Sequence, residues 1–167
     1  MPEIVFDCCV ISNFALAGAP DVIEALFGGK AFITDFVAAE LSRGIQAGHT
    51  GLENIFEAER TGWLKRAGLG TEEERRLLAS LSRPLGLGEA SSIAVAKSRG
   101  LVFASDDRAA RTEASALDVP LTGTLGILTK AVRAGVRDLR TADDHLGKMV
   151  KAGFFSPIRS IKEIKSD

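Results

Sequence analysis

The chain has 167 residues, 46% of them hydrophobic and 26% charged, with a net charge of -1. That composition excludes a disordered chain, and with no long apolar run and no basic, apolar leader it predicts one soluble, cytoplasmic domain with no membrane role. The only two cysteines, Cys8 and Cys9, are adjacent, which excludes a disulfide framework and favours a reducing compartment. The charge is uneven. Residues 1–87 carry 8 Lys/Arg against 12 Asp/Glu, net -4, and residues 88–167 carry 13 against 10, net +3. If carboxylates of the second half surround a cation, its outer surface is basic enough for a polyanion.

Ile4-Val5-Phe6 reads as a buried strand with Asp7 at its carboxyl end. Cys8 and Cys9 follow; as buried thiols they pack as small hydrophobes, and with only His49 and His145 as further soft ligands a zinc site is discounted. Pro20 opens a helix over residues 21–27 that Gly28-Gly29 ends. Ala31-Phe32-Ile33 is a second strand, and Thr34 caps a helix that carries Glu40. Residues 48–70 predict a helix and then a short extended piece near Trp63-Leu64. Thr71 to Glu74 fits a capping box on a helix that Pro84 stops, so its acidic triplet is assigned no catalysis.

Leu85-Gly86-Leu87-Gly88-Glu89-Ala90 is a glycine turn feeding a helix of small residues, with Glu89 in the first turn and Gly100 at the end. Neither the dinucleotide nor the Walker phosphate loop is present. Leu101 to Ala104 is another strand, and Ser105-Asp106-Asp107 lies at its end before a helix bearing Arg108 and Arg111. One aspartate there has a plain use as a helix cap, which leaves the other unexplained. Val119-Pro120-Leu121 is a short strand, Thr124 caps a helix ending at Gly135, and a last helix runs over residues 141–151. From Ser156 onward the tail reads as a peripheral amphipathic segment.

Alternating strands and helices favour a parallel sheet covered on both faces, with Asp7, Asp106 and Asp107 at its carboxyl edge and Glu40 and Glu89 on helices nearby. Four or five carboxylates brought together repel one another, which raises their pKa values or demands a cation. Oxygen ligation suits Mg2+ or Mn2+, and such ions promote phosphodiester cleavage. On their own, Glu40 and Glu89 also read as ordinary helical carboxylates, and Arg108 and Arg111 as solvated helix residues.

In order and spacing, Ile4-Val5-Phe6-Asp7, Val37-Ala38-Ala39-Glu40-Leu41, Gly88-Glu89-Ala90 and Ser105-Asp106-Asp107-Arg108 resemble the four acidic motifs of PIN-domain ribonucleases. Leu-Gly-Leu-Gly-Glu-Ala, Asp-Asp-Arg-Ala-Ala-Arg and Gly-Thr-Leu-Gly-Ile-Leu look closest to an uncharacterised prokaryotic branch related to VapC-like toxins. The resemblance implies a three-layer α/β/α sandwich with a central parallel sheet, a PIN-like nuclease domain over residues 1–153, and a tail over 154–167 packed on the domain or at an interface. It implies a metal-dependent endoribonuclease, the toxin of a toxin-antitoxin pair, using Mg2+ or Mn2+. Asp7, Glu40, Glu89 and Asp107 are then the catalytic acids, and Asp7, Glu89, Asp107 and Asp106 the metal ligands. Arg108 and Arg111 contact RNA phosphates. The implied partners are an RNA substrate, a small antitoxin protein and a second copy of the chain in a homodimer.

The pattern departs from the family after Asp7, where Cys8-Cys9 stand in place of the usual hydroxyl and amide residues; Ser12, Asn13 and Thr34 are the expected substitutes. This departure motivates the alternative of a catalytically weak PIN-like module that binds nucleic acid or protein. A phospho-acceptor signalling domain of similar architecture would need an acid pair after the first strand, where this chain has a single aspartate.

Overall fold

Ile4, Val5 and Phe6 have no solvent exposure on either side, as befits a central strand of a parallel sheet. In the computed structural model, which describes residues 1–164, they form β1 (Ile4–Phe6). Four more strands join it: β2 (Ala31–Thr34), β3 (Leu64–Ala67), β4 (Val102–Ala104) and β5 (Leu121–Thr122). The order is β3-β2-β1-β4-β5, every pairing parallel. β3 is an edge strand, with Lys65 and Arg66 exposed between buried Leu64 and Ala67. The chain order reverses between β1 and β4, the place where open α/β sheets bind ligands at their carboxyl ends.

Pleating sends alternate side chains to two cores. Ile4, Phe6 and Ala104 join one, covered by α1 (Cys8–Leu16), α2 (Pro20–Phe27), α3 (Asp35–Gln46), α4 (Glu53–Thr61), α8 (Thr124–Arg133) and α9 (Leu139–Lys151). Val5 and Phe103 join the other, under α5 (Glu72–Leu81), α6 (Leu87–Arg99) and α7 (Arg108–Ala116). The result is the expected three-layer α/β/α sandwich. In α6, buried Gly88, Ala90, Ser91, Ser92, Ala94 and Ala96 let the helix lie close on the sheet. Beyond α9 the chain stays docked: Asp143 accepts from the Ser160 hydroxyl at 2.7 Å and the Ile161 amide at 2.8 Å, and Ile158, Ile161 and Ile164 pack on the first core. Residues 165–167 of the expected tail lie outside the described residues.

Most elements fall where the local pattern puts them, including the capping box at Thr71 and Glu74 and the extended piece after Trp63. Three differ. α1 has no counterpart in the sequence reading, because Cys-Cys-Val-Ile-Ser-Asn-Phe-Ala-Leu carries no charges to mark a polar face. β5 starts two residues later than expected, ends one later and keeps only two residues, although the Pro120 carbonyl still receives the Phe103 amide at 2.8 Å. The N-cap of α8 is Gly123, with no side chain to cap; Thr124 is the first helical residue.

Glu74, fully buried, closes the capping box and also accepts from Arg99 Nε at 2.7 Å and the Gly70 amide at 2.7 Å. The Arg99 guanidinium, more than any other group, holds its carboxyl down at about 2, against an ordinary 4.5. The stabilisation is therefore complete above pH 4.5 and is lost as pH falls from there to about 2. Glu74→Gln should cost about 2 kcal/mol at neutral pH, and urea unfolding of the variant should lack this acid-dependent loss.

Candidate active site

The carboxyl ends of β1 and β4 are joined past the ladder itself by the Asp7 amide, which donates to the Ala104 carbonyl at 3.0 Å. Asp7 is the N-cap of α1, its Oδ1 accepting from the Val10 amide at 2.8 Å. Its Oδ2 is buried without a hydrogen-bond partner. Burial pushes this carboxyl up to about 7; the Ser105 hydroxyl and Val10 amide oppose the rise, and the charges of Asp106 and Glu89 add to it. Capping and candidate ligation thus use different oxygens of one side chain.

Asp107 repeats the arrangement one strand away. It caps α7 by accepting from the Ala110 amide at 2.8 Å, and its own amide donates to Ser105 Oγ at 3.1 Å. Glu89, half-buried in the first turn of α6, has its carboxyl raised by burial and then by Asp107 and Glu40, with the Gly86 amide opposing. Glu40 reaches over from α3, its Oε1 accepting from the Gly88 amide at 3.2 Å. A Cβ at position 88 would stand 2.5 Å from that oxygen, so any side chain there would push the Glu40 carboxylate off the amide.

Asp106 is fastened differently. Oδ1 accepts from the Thr124 amide at 2.9 Å, and Oδ2 accepts from the Thr124 hydroxyl at 2.6 Å and from Asn13 Nδ2 at 3.3 Å. The helix it caps is therefore α8, which follows the neighbouring strand β5, and it supplies what Gly123 lacks. A Cβ at 123 would come within 2.5 Å of Asp106 Oδ1 and displace that carboxylate likewise. Thr124, expected to be the cap, instead receives one.

Arg111 is half-buried and donates from Nη1 to the Ser105 carbonyl at 2.7 Å and the Thr122 carbonyl at 2.9 Å, tying the ends of β4 and β5 together. Arg108 is exposed. Both line an open groove of about 540 Å3 beside Asp106. A neighbouring groove of about 650 Å3 has Cys8, Asn13, Glu40, Asp106 and Asp107 on its walls.

Of the substitutes expected for the missing support after Asp7, Asn13 bonds Asp106 and Thr124, Thr34 pairs with Ser91 at 2.7 Å, and Ser12 lies 3.7 Å from the Cys8 thiol. Ser105, the hydroxyl position of the sequence motif, is fully buried and accepts from the Asp107 amide at 3.1 Å. Against the expectation of two buried thiols, Cys8 is half-buried and Cys9 exposed on α1; burial first, and then the charges of Glu40 and Asp7, push the Cys8 thiol up to about 11, which keeps it neutral.

The five acids thus lie within one another's fields, in two overlapping groups: Asp7 with Glu89 and Asp106, and Glu89 with Asp107 and Glu40. Among the described residues no three His, Cys, Asp or Glu side chains stand close enough to cage an ion as they are. The donor chemistry nevertheless fits a hard divalent cation, because the set is all oxygen and its most buried member keeps one oxygen unpartnered.

The acids gather at the β1/β4 switch point of a five-stranded parallel α/β sheet, where such sheets bind ligands. The chain matches the DUF3368 family model, a PIN domain, over residues 3–167, and it belongs to the PIN-domain family. PIN domains are generally nucleases and typically use divalent metal ions. The chain is also similar in structure to PAE2754 from Pyrobaculum aerophilum, at 20% identity and a TM-score of 0.54 over 81% of this chain and 91% of that one, which shows a shared fold. No curated protein matches.

An aspartate raised from 3.8 to about 7 destabilises the folded chain progressively as pH rises through that interval, and by a constant amount above it. In a chelating buffer, Asp7→Asn should therefore be more stable than the parent by about 2–4 kcal/mol near pH 8 and equal to it near pH 4. Thermal unfolding at the two pH values checks this; equal stability at both would remove the buried charge from the account.

Proposed function

We propose that the chain is a metal-dependent endoribonuclease of the VapC-like toxin type. The observation that carries this reading is the buried, unpartnered Oδ2 of Asp7, set among carboxylates at the switch point of a PIN-domain sheet. Asp7, Glu89 and Asp107 are the residues that would hold Mg2+ or Mn2+, with the fastened carboxylate of Asp106 adding to the field. The ion supplies water activation and neutralises charge that develops on the phosphoryl group.

The chain's own residues do the rest. Asp7, its carboxyl raised to about 7, would lose its proton near neutral pH and so could serve as a ligand, while its other oxygen stays bound to the Val10 amide. Glu40, held by the Gly88 amide, would accept a proton from the attacking water. Arg108 is exposed beside the site to meet a phosphate. Arg111 spends one nitrogen on two carbonyls and offers its remaining donors to the same groove. The oxygen-rich, cation-requiring site and the net positive second half of the chain both favour an RNA substrate.

A small antitoxin partner, a homodimer and a cytoplasmic location complete the proposal, on the resemblance of the Leu85-to-Ala90 and Gly123-to-Leu128 motifs to the toxin branch. Among the described residues no single helix is long and apolar enough to cross a membrane. The replacement of hydroxyl support by Cys8-Cys9 favours a second reading, a PIN-like binding module with weak catalysis.

The test is cleavage of a fluorescent single-stranded RNA by the purified chain with Mn2+. Cleavage should stop with a chelator and fall at least 100-fold or so in Asp7→Asn and Glu89→Gln. Cleavage that persists in both variants would show the ligand assignment to be wrong. Tight Mn2+ binding by calorimetry without turnover would select the binding module.

A further inference from the structure

We infer that Phe155 is a stacking platform for an unpaired base of single-stranded RNA at the mouth of the acid site, an inference that rests on the ribonuclease reading above. Phe155 is 90% exposed, the most exposed large apolar side chain among the described residues. It belongs to neither core. Its neighbour Phe154 packs on the first core and anchors the pair.

The backbone around the ring is held in place. Gly153 turns the chain out of α9 at φ +115°, and the Phe154 amide donates back to the Met149 carbonyl at 2.9 Å. On the other side, Ser156 Oγ accepts from the Ile158 amide at 3.2 Å and donates to the Ile158 carbonyl at 2.7 Å. An exposed phenyl ring on a fixed backbone loses little conformational entropy when a flat partner settles on it.

Position names the partner. Phe154 and Phe155 form one wall of the 650 Å3 groove whose other walls include Glu40, Asp106 and Asp107. Whatever rests on this ring therefore lies alongside the carboxylates. The segment 148–162 also carries Lys148, Lys151, Arg159 and Lys162 and no acid, and all four are exposed. An aromatic face on a segment rich in cations suits a single strand, the bases stacking and the backbone drawn by charge. A duplex keeps its bases stacked on each other and cannot use the ring, so Phe155 selects unpaired RNA as a positioning residue.

The test uses the full chain in an Asp7→Asn background with Mn2+, and follows the anisotropy of a fluorescein-labelled, unstructured RNA of about 12 nucleotides. Phe155→Ala should weaken its binding roughly tenfold or more and leave the binding of a matched RNA duplex unchanged. Phe155→Trp should restore the affinity, and the emission of the new indole should be quenched on RNA addition relative to the parent that carries Trp63 alone. Single-strand affinity unchanged in Phe155→Ala overturns the inference. So does unchanged affinity accompanied by loss of a dimer in light scattering, which assigns the ring to a protein interface. Failure of the Asp7→Asn chain to bind single-stranded RNA at all overturns this inference, whereas the ribonuclease reading stands or falls separately on Mn2+-dependent cleavage by the unsubstituted chain.

Discussion

A carboxylate buried at the end of the central strand, with one oxygen bound and one left without a partner, is the constraint around which the site is arranged. Asp7 starts α1 with one oxygen and presents the other to its acidic neighbours. Burial, and then the like charges of Asp106 and Glu89, favour the neutral acid, so the site carries less charge than its five carboxyl groups would in water. The stability given up at Asp7 is offset by the two packed cores on either side of β1.

The neighbouring acids are held by a small number of close approaches. Gly88 and Gly123 each leave a space that a Cβ would fill with a carboxylate oxygen within 2.5 Å. Through the first, Glu40 of α3 rests on the amide of α6; through the second, Asp106 of the β4 end caps α8. Ser91 and Ser92 on α6 pass the restraint deeper: Ser91 pairs with Thr34 at the end of β2, and Ser92 donates to the Gly88 carbonyl. The helix of small residues, which allows α6 to lie so near the sheet, is what brings Glu89 into reach of Asp107. Packing and electrostatics are here the same feature seen at two scales.

Much of this was legible in the residues. A continuous apolar run such as Ile-Val-Phe or Val-Phe-Ala followed at once by aspartate marks both the strand and its end, and the capping box at Thr71 is a local signal that tertiary contacts leave alone. The division of labour between Asp106 and Asp107 was not legible. Both are adjacent acids before a helix, and only the fold shows that Asp107 caps its own helix while Asp106 reaches across the sheet to Thr124. The same long-range pairing hid the use of Asn13, and the binding of Arg111 to two strand-end carbonyls is invisible in a helix pattern that reads as solvated. α1 escaped because a helix buried on most sides lacks an alternating polar face. Family resemblance supplied the order of the acids; which of their oxygens remain free came from the coordinates.

The central claim is that the free oxygen of Asp7 is a cation ligand. A crystal structure of the chain soaked with Mn2+, with the anomalous signal recorded, tests it most directly. The account predicts an ion about 2.1–2.3 Å from Asp7 Oδ2 and bound as well by an oxygen of Glu89 or Asp107. An ion held elsewhere, with Asp7 Oδ2 still buried and without a partner, would contradict it.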